Sequence, residues 1–192
     1  MKTFLPTRDP LKGYITKSKS LERLSVTAAE LPKTLLTGRV RQHIDSLNKN
    51  ALSVDLVIKN NNIREIKLAM SHLSFIAHAY IWGAKNPSKV LPEVIARPWV
   101  QLSNILGRPP ILSYASYCLD NWYRINPKEK ISLENVGLLN NFLGGVDEDW
   151  FVTIHVCIED ASRDAIQSAN AISKLNEMNS IKDFSDNLKK II

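Results

Sequence analysis

Apolar residues recur at every third or fourth position along most of this chain, which is the spacing of an amphipathic helix. The pattern is longest over residues 63–82. Its apolar positions there are Ile66, Met70, Leu73, Ala77 and Ile81. Because this segment is apolar over more than half of its circumference and is followed by Gly83, the sequence predicts a buried central helix that ends at residue 82.

Shorter stretches with the same spacing predict further helices. They cover residues 20–38, as one helix ending near Pro32 and a short one ending at Gly38, and then residues 39–48, 100–106, 111–123, 133–142, 149–178 and 181–192. Ser132 is a favourable N-cap for the helix expected at 133–142. Prolines on both sides of residues 100–106 predict loops there. No segment alternates convincingly between apolar and polar residues, so the expected fold class is all-α.

Two adjacent glycines, Gly144 and Gly145, mark the clearest break in the helical pattern. We therefore expect a small helical domain at residues 1–145 and the start of a second domain at residues 146–192. Acidic residues 147–149 lie where the dipole of the following helix favours negative charge. Because the chain ends on two isoleucines without a polar tail, we expect its end to be a cut inside a helical hairpin.

The net charge of +6 is concentrated near the amino terminus. Residues 1–50 contain ten Lys and Arg against four Asp and Glu, whereas residues 51–192 contain fifteen of each. A basic region can bind nucleic acid, but this one has neither interleaved aromatic residues nor a binding motif. We expect it to be solvated surface, with no nucleic acid as a partner.

The sequence also indicates a cellular compartment. No apolar run reaches the length of a membrane-spanning helix, so no membrane partner is expected. The first residues lack the apolar core of a secretion signal. Two cysteines, Cys118 and Cys157, are too few for a disulfide framework. These features predict a cytoplasmic protein with reduced cysteines.

Four histidines are the first candidates for chemistry, and none forms a metal-ligand motif, so no metal ligand is expected in this chain. His43, His72 and His78 are interpreted as surface or hydrogen-bonded core residues. His155 differs because it lies one helical turn after Phe151, just beyond the glycine break. An imidazole there would either pack between helices or exchange a proton or hydrogen bond with a ligand.

A second candidate is the stretch YASYCLDNW at residues 114–122. Read as a helix, it places Tyr114, Tyr117 and Cys118 on one face, which Trp122 extends. Aromatic residues at helical spacing are usually core. Two tyrosines beside a thiol also suit the wall of an apolar pocket with a few polar tips, and both interpretations stay open on spacing alone.

Three stretches together resemble the indoleamine 2,3-dioxygenase family. They are AYIWG at 79–83, VLPEVIARPWVQLSNILGRPPILSYASYCLDNW at 90–122 and WFVTIHVCIEDASRDAI at 150–166. In that family a helix ending in Ala-Tyr-hydrophobic-Trp-Gly precedes a proline-rich linker, a Gln-Leu-Ser helix, a Tyr-Ala helix ending in Asn-Trp, and a later helix with aromatic residues before a glutamate. The resemblance runs from about residue 35 to residue 171.

The resemblance implies an all-helical protein with a small domain and a larger haem-binding domain, of which residues 146–192 would be the first helices. It implies a dioxygenase that uses haem b and O₂ to cleave the indole ring of L-tryptophan, or of a related indole, to N-formylkynurenine in the kynurenine pathway. The family positions for substrate binding are Tyr114, Tyr117, Cys118, Phe151 and Val152. His155 takes the catalytic position, and Tyr114, Phe151 and His155 face the distal side of the haem.

Three departures from the family pattern affect these expectations. His155 stands where many animal members have serine, although the related tryptophan 2,3-dioxygenases also present a distal histidine. Val152 replaces a second aromatic residue and would widen the pocket. The haem-ligating histidine of the family lies beyond residue 192, so we expect the iron ligand outside this chain, in a missing carboxy-terminal haem domain, and the isolated chain to be inactive.

Two alternatives to a haem dioxygenase stay open at this point. A non-catalytic helical interaction module would keep the fold and lose the chemistry. A haem protein of the same superfamily with different indole chemistry would account for His155 and Val152.

Overall fold

The computed structural model describes residues 4–173, 185–186 and 188–189. This part of the chain is mostly helical, which confirms the all-α prediction, and it includes one small two-stranded sheet. The elements in chain order are α1 Lys19–Ala29, α2 Leu31–Leu36, α3 Val40–Asp45, α4 Asp55–Asn60, α5 Ile63–Trp82, α6 Glu93–Leu106, a π-helix Ala115–Leu119, β1 Trp122–Arg124, β2 Val136–Leu138, α7 Val146–Ala161 and α8 Arg163–Ile172.

The predicted central helix is confirmed as α5, with both predicted ends. The Asn62 side chain caps it by accepting a hydrogen bond from the backbone N–H of Arg64, at 3.1 Å. Most of its residues are buried, because α1, α2, α3, α4 and α6 all pack against it. This packing forms the main core of the molecule, and its largest fully buried side chain is Phe75.

The helix expected at residues 100–106 is α6, which begins earlier, at Glu93. The prediction of a loop before residue 100 was wrong because Pro98 is accommodated within the helix. Proline removes one helical hydrogen bond. Trp99 offsets this loss, since its side chain is buried and its indole N–H donates to the Ser74 hydroxyl at 3.0 Å. The short helix α4 was not predicted.

Two predictions fail where the sheet forms. Residues 133–142 are not a helix and Ser132 caps none, while the helix expected at 111–123 is reduced to a single π-helical turn followed by β1. The two strands are antiparallel, with Trp122 opposite Leu138. The Asn135 side chain holds the connection: it accepts from the backbone of Asn126 at 2.7 Å and donates to the carbonyl of Lys130 at 2.8 Å.

Gly137 in β2 lies against the ring of its cross-strand partner Tyr123. A Cβ atom at this position would lie 2.8 Å from Cζ of Tyr123, so any other residue would require the Tyr123 ring to shift. This close approach favours glycine at the position opposite Tyr123.

The long helix expected at residues 149–178 is two helices, α7 and α8, separated at Ser162. The Ser162 hydroxyl donates to the carbonyl of Glu159 at 3.0 Å, a local bond that competes with helical bonding. The predicted acidic first turn of α7 is present, and Glu148 in it accepts hydrogen bonds from the backbone N–H groups of Phe142 and Leu143. Residues 174–178, and most of the helix expected at 181–192, lie outside the described residues.

A second, smaller core cluster holds α7 against the π-helix and the sheet. Its buried members are Leu5, Cys118, Trp122, Val136, Val152 and Val156. None of the helices in the described part of the chain has both the length and the apolar character of a membrane span. The division into domains at residue 145 stays a prediction.

Candidate functional site

Four aromatic rings meet where the π-helix faces α7, and we call these four residues the ring cluster: Tyr114, Tyr117, Phe151 and His155. The rings of Tyr114 and His155 meet edge to face with centroids 5.9 Å apart, and those of Tyr117 and Phe151 are also 5.9 Å apart. Within α7, Phe151 and His155 lie one turn apart with centroids at 4.3 Å. The structure therefore brings together four of the six residues that the sequence analysis assigned to the pocket.

The π-helix determines which side chains reach this surface. The backbone N–H of Asp120 donates to the carbonyl of Ala115, five residues earlier in the chain, at 2.8 Å. Each turn of this helix therefore holds more residues than a turn of an α-helix. Spacing by four therefore no longer places two residues on one face. Tyr114 is 43% exposed, whereas Cys118 is fully buried.

Cys118 and Val152 lie behind the ring cluster, not on its surface. Both side chains are fully enclosed in the second core cluster, next to Trp122. The single face predicted for Tyr114, Tyr117, Cys118 and Trp122 is therefore divided between surface and core. The substrate-binding roles of Cys118 and Val152 stay predictions.

His155 has one ring nitrogen engaged in the fold. Its Nδ1 donates to the carbonyl of Phe151 at 2.6 Å, because a carbonyl oxygen can only accept. In the neutral imidazole, Nε2 then carries the lone pair and is a hydrogen-bond acceptor. The described residues supply no hydrogen bond to Nε2, so this atom is available to a ligand.

Glu159 belongs to the site and was missed by the sequence analysis. Its carboxylate accepts a hydrogen bond of 2.9 Å from the Tyr114 hydroxyl. Glu159 follows His155 by four residues, as His155 follows Phe151, so the helical spacing of α7 would have placed it on the same stripe. Burial and the bond to Glu159 raise the pKa of Tyr114 well above its usual value, which keeps the phenol protonated.

Tyr117 of the ring cluster and Cys118 behind it are also held in their neutral forms. Burial, followed by the negative charge of Glu159, raises the pKa of the Cys118 thiol to about 11. Burial, with the charge of Glu148, raises the pKa of Tyr117 to about 12. Cys118 is therefore a poor nucleophile at neutral pH, and the site combines an aromatic surface with two acceptors, the imidazole of His155 and the carboxylate of Glu159.

Tyr117 connects the ring cluster to the main core. Its ring stacks on Phe75 with centroids 5.6 Å apart and lies 6.4 Å from Phe142. Phe75 and Phe142 are themselves 4.7 Å apart. This continuous aromatic packing fixes the position of Tyr117, while Phe151 at the other side of the cluster is 49% exposed.

The other three histidines have structural partners. His72 is buried and forms a hydrogen bond of 3.0 Å with the Tyr14 hydroxyl. His78 lies between the carbonyl of Ser74 and the backbone N–H of Leu112, and His43 is 3.7 Å from Glu30. In the described part of the chain, no three His, Cys, Asp or Glu side chains are grouped closely enough to hold a metal ion.

The bond between Tyr114 and Glu159 leads to a testable expectation for stability. Tyr114→Phe should lower the free energy of unfolding by about 1 kcal/mol, because it removes a partly exposed hydrogen bond to a carboxylate. Urea denaturation of both proteins measures the difference. Tyr123→Phe is the matched control, since its hydroxyl has no hydrogen-bond partner among the described residues. Equal losses in the two variants would contradict this account of the bond.

Comparison with known proteins agrees with the resemblance seen in the sequence. The family model for indoleamine 2,3-dioxygenase matches residues 1–192. The chain is 39% identical to an indoleamine 2,3-dioxygenase of Saccharomyces cerevisiae over 162 residues, which are 81% of this chain and 35% of the yeast protein. It is 33% identical to the mouse indoleamine 2,3-dioxygenase 1 over 159 residues, or 82% of this chain and 38% of that protein.

The human indoleamine 2,3-dioxygenase 2 is 30% identical to this chain over a segment that covers 78% of this chain and 37% of the human protein. This chain belongs to the indoleamine 2,3-dioxygenase family. It spans little more than a third of the length of the curated relatives that it matches.

Proposed function

We propose that this chain forms the distal wall of the haem pocket of an indoleamine 2,3-dioxygenase-type enzyme. The reaction is the insertion of both atoms of O₂ across the indole double bond of L-tryptophan, which gives N-formylkynurenine. The observation that carries the proposal is the ring cluster, an exposed aromatic surface with one free imidazole acceptor, in a chain of this family. The remaining residues of the pocket come from outside residues 1–192.

The partly exposed aromatic rings of the ring cluster support the proposal of a haem on this side of the chain. A haem is a flat, largely apolar group, and it requires an enclosed apolar site and an axial ligand. Phe151 is half-exposed and offers an aromatic face to such a group, and Tyr114 lies beside it. None of the four histidines matches the proximal ligand of the family, so the iron ligand is proposed to lie in the carboxy-terminal haem domain. When bound, the haem binds and activates O₂.

His155 is proposed to hold the substrate through its free ring nitrogen. An indole N–H is a donor only, so it needs an acceptor in the site. Because Nδ1 of His155 donates to the carbonyl of Phe151, Nε2 is the ring nitrogen left to accept a hydrogen bond. The rings of Phe151 and Tyr117 supply aromatic surface for the indole.

A substitution at His155 tests this role in the intact protein. His155→Leu should lower kcat/KM for tryptophan about ten- to a hundred-fold, because one hydrogen bond in a desolvated site is lost. The haem content should not change, since His155 is not the proposed iron ligand. His43→Gln, a histidine on α3 outside the ring cluster, serves as the control. Unchanged kcat/KM in His155→Leu would contradict the assignment.

The proposal as a whole is tested on the protein purified from its native source. We expect an intact mass well above 21.7 kDa, a haem Soret band and tryptophan-dependent formation of N-formylkynurenine. The 192-residue chain alone should show no turnover. Stoichiometric, tryptophan-dependent turnover by the isolated chain would refute the proposal that the iron ligand lies elsewhere.

An alternative function is favoured by the exposed apolar side chains of α7. Trp150, Phe151 and Ile158 are each about half exposed or more. Such a surface suits a partner protein as well as a haem domain. A native mass of 21.7 kDa without haem would favour a helical interaction module. A haem protein that yields another indole product by mass spectrometry would instead indicate different indole chemistry.

A further inference from the structure

A cleft of about 290 Å³ lies between the amino-terminal segment and the first turns of α5. It shares no lining residue with the ring cluster. Residues 6–11 form one wall, and the other is formed mainly by Ile63, Arg64, Lys67 and Leu68. Most of the surface inside it is apolar, supplied by two prolines and by leucine and isoleucine side chains. A concave apolar site with a few polar groups is the usual form of a small-ligand pocket.

The amino-terminal segment, which forms one wall of the cleft, is held in place at several points. The buried Glu65 carboxylate accepts hydrogen bonds from the backbone N–H groups of Ile15 and Thr16, at 2.8 and 2.7 Å. The Asp9 carboxylate binds Arg124 at 2.8 Å, and the Asp9 carbonyl accepts from Arg64 at 2.7 Å. A site held in this way loses little conformational entropy on binding.

The charges around the cleft favour an anion. Asp120, one of its two carboxylates, is engaged by both Lys67 and Arg108, at 3.3 and 2.9 Å. The other carboxylate, that of Asp9, is engaged by Arg124. Arg8 has no ion-pair partner among the described residues, and Nε of Arg64 is buried without an acceptor. Three cations line the cleft, against two carboxylates that are both already engaged, so Arg8 is left to pair with an anion.

We propose that this cleft binds a small amphipathic carboxylate, with its apolar body between the prolines and α5 and its carboxylate near Arg8 and Arg64. The volume is close to the lower limit of small-molecule pockets, which fits a ligand with a single ring or a short chain. Arginine suits the head group because its fork of N–H donors matches a carboxylate. This site is separate from the proposed haem pocket, so it stands whether or not the proposed function is correct.

The test uses 3-phenylpropanoate as the probe and amide NMR shifts of the 192-residue chain as the readout. We expect saturable shifts at the residues lining the cleft, and weaker binding of the neutral analogue 3-phenylpropan-1-ol. Arg8→Gln should raise the Kd about three- to five-fold, as expected for loss of a partly exposed ion pair. Arg8 is exposed, so this variant should fold normally.

A matched control and a blocking variant complete the experiment. Arg23→Gln removes an exposed arginine of α1 outside the cleft and should leave the Kd unchanged. Ile63→Trp should abolish the shifts by filling the cleft, and it is tolerated because Ile63 is 53% exposed. The proposal is overturned if the probe gives no shifts up to its solubility limit, if the shifts map to α7, or if the alcohol binds as tightly as the carboxylate.

Discussion

Trp122→Ala is expected to lower the free energy of unfolding by about 3–5 kcal/mol, the range typical of a large aromatic side chain removed from a core. Trp122 is the largest fully buried side chain of the described residues, and its indole N–H donates to the carbonyl of Leu119 at 3.0 Å. It packs with Val152 and Val156 in the second core cluster. The substitution therefore leaves a cavity between the sheet and α7.

The effect should extend to the candidate site, because the second core cluster positions α7 against the π-helix. Loss of Trp122 should weaken the contact of Tyr114 with His155, seen as changed NMR shifts of the His155 ring. Urea denaturation measures the stability change. Trp82→Ala is the matched control, because Trp82 is 66% exposed. This substitution should lower the free energy of unfolding by less than about 1 kcal/mol. Comparable losses in both variants would show that burial of Trp122 does not determine its contribution.

The parts of the fold that follow from local periodicity were predicted from the sequence. The helix α5 is long, strongly apolar and bounded by Asn62 and Gly83, so local pattern and tertiary packing agree along its whole length. A helix led by acidic residues 147–149 was predicted for a similar reason, because negative charge there complements the helix dipole, although α7 begins at Val146, three residues before the predicted start.

The two strands could not be predicted because distant contacts hold them. Trp122 and Val136 are buried in a cluster that also contains Leu5, far away in the sequence. Three-residue strands are too short to show an alternating pattern, and the connection between them depends on the side-chain hydrogen bonds of Asn135. The helical spacing of apolar residues within 133–142 therefore does not correspond to a helix.

The candidate site was predicted in part, and the π-helix explains the difference. Phe151 and His155 lie on an ordinary α-helix, so spacing by four placed them correctly. Tyr114 and Cys118 lie across a π-helical turn, where the same rule does not hold. No local pattern distinguishes a π-turn from an α-turn in a sequence, and the division of this face between surface and core follows only from packing.

His72 should make the protein less stable in acid. Burial lowers the pKa of His72 from 6.5 to about 4 in the folded protein, whereas in the unfolded chain the imidazole titrates near its ordinary value. As the pH falls below 6.5, the unfolded state therefore takes up a proton that the folded state excludes. Stability is fully present above pH 6.5 and is lost progressively down to about pH 4, by about 3 kcal/mol in total.

The prediction is checked by urea denaturation at a series of pH values between 7 and 4, in the original chain and in His72→Gln. Glutamine keeps a hydrogen-bonding group near the Tyr14 hydroxyl and does not titrate, so the difference between the two pH profiles isolates the imidazole. Carboxylates that also titrate in this range contribute equally to both proteins. Parallel profiles for the original chain and His72→Gln would mean that His72 takes up its proton as readily in the folded protein as in the unfolded chain.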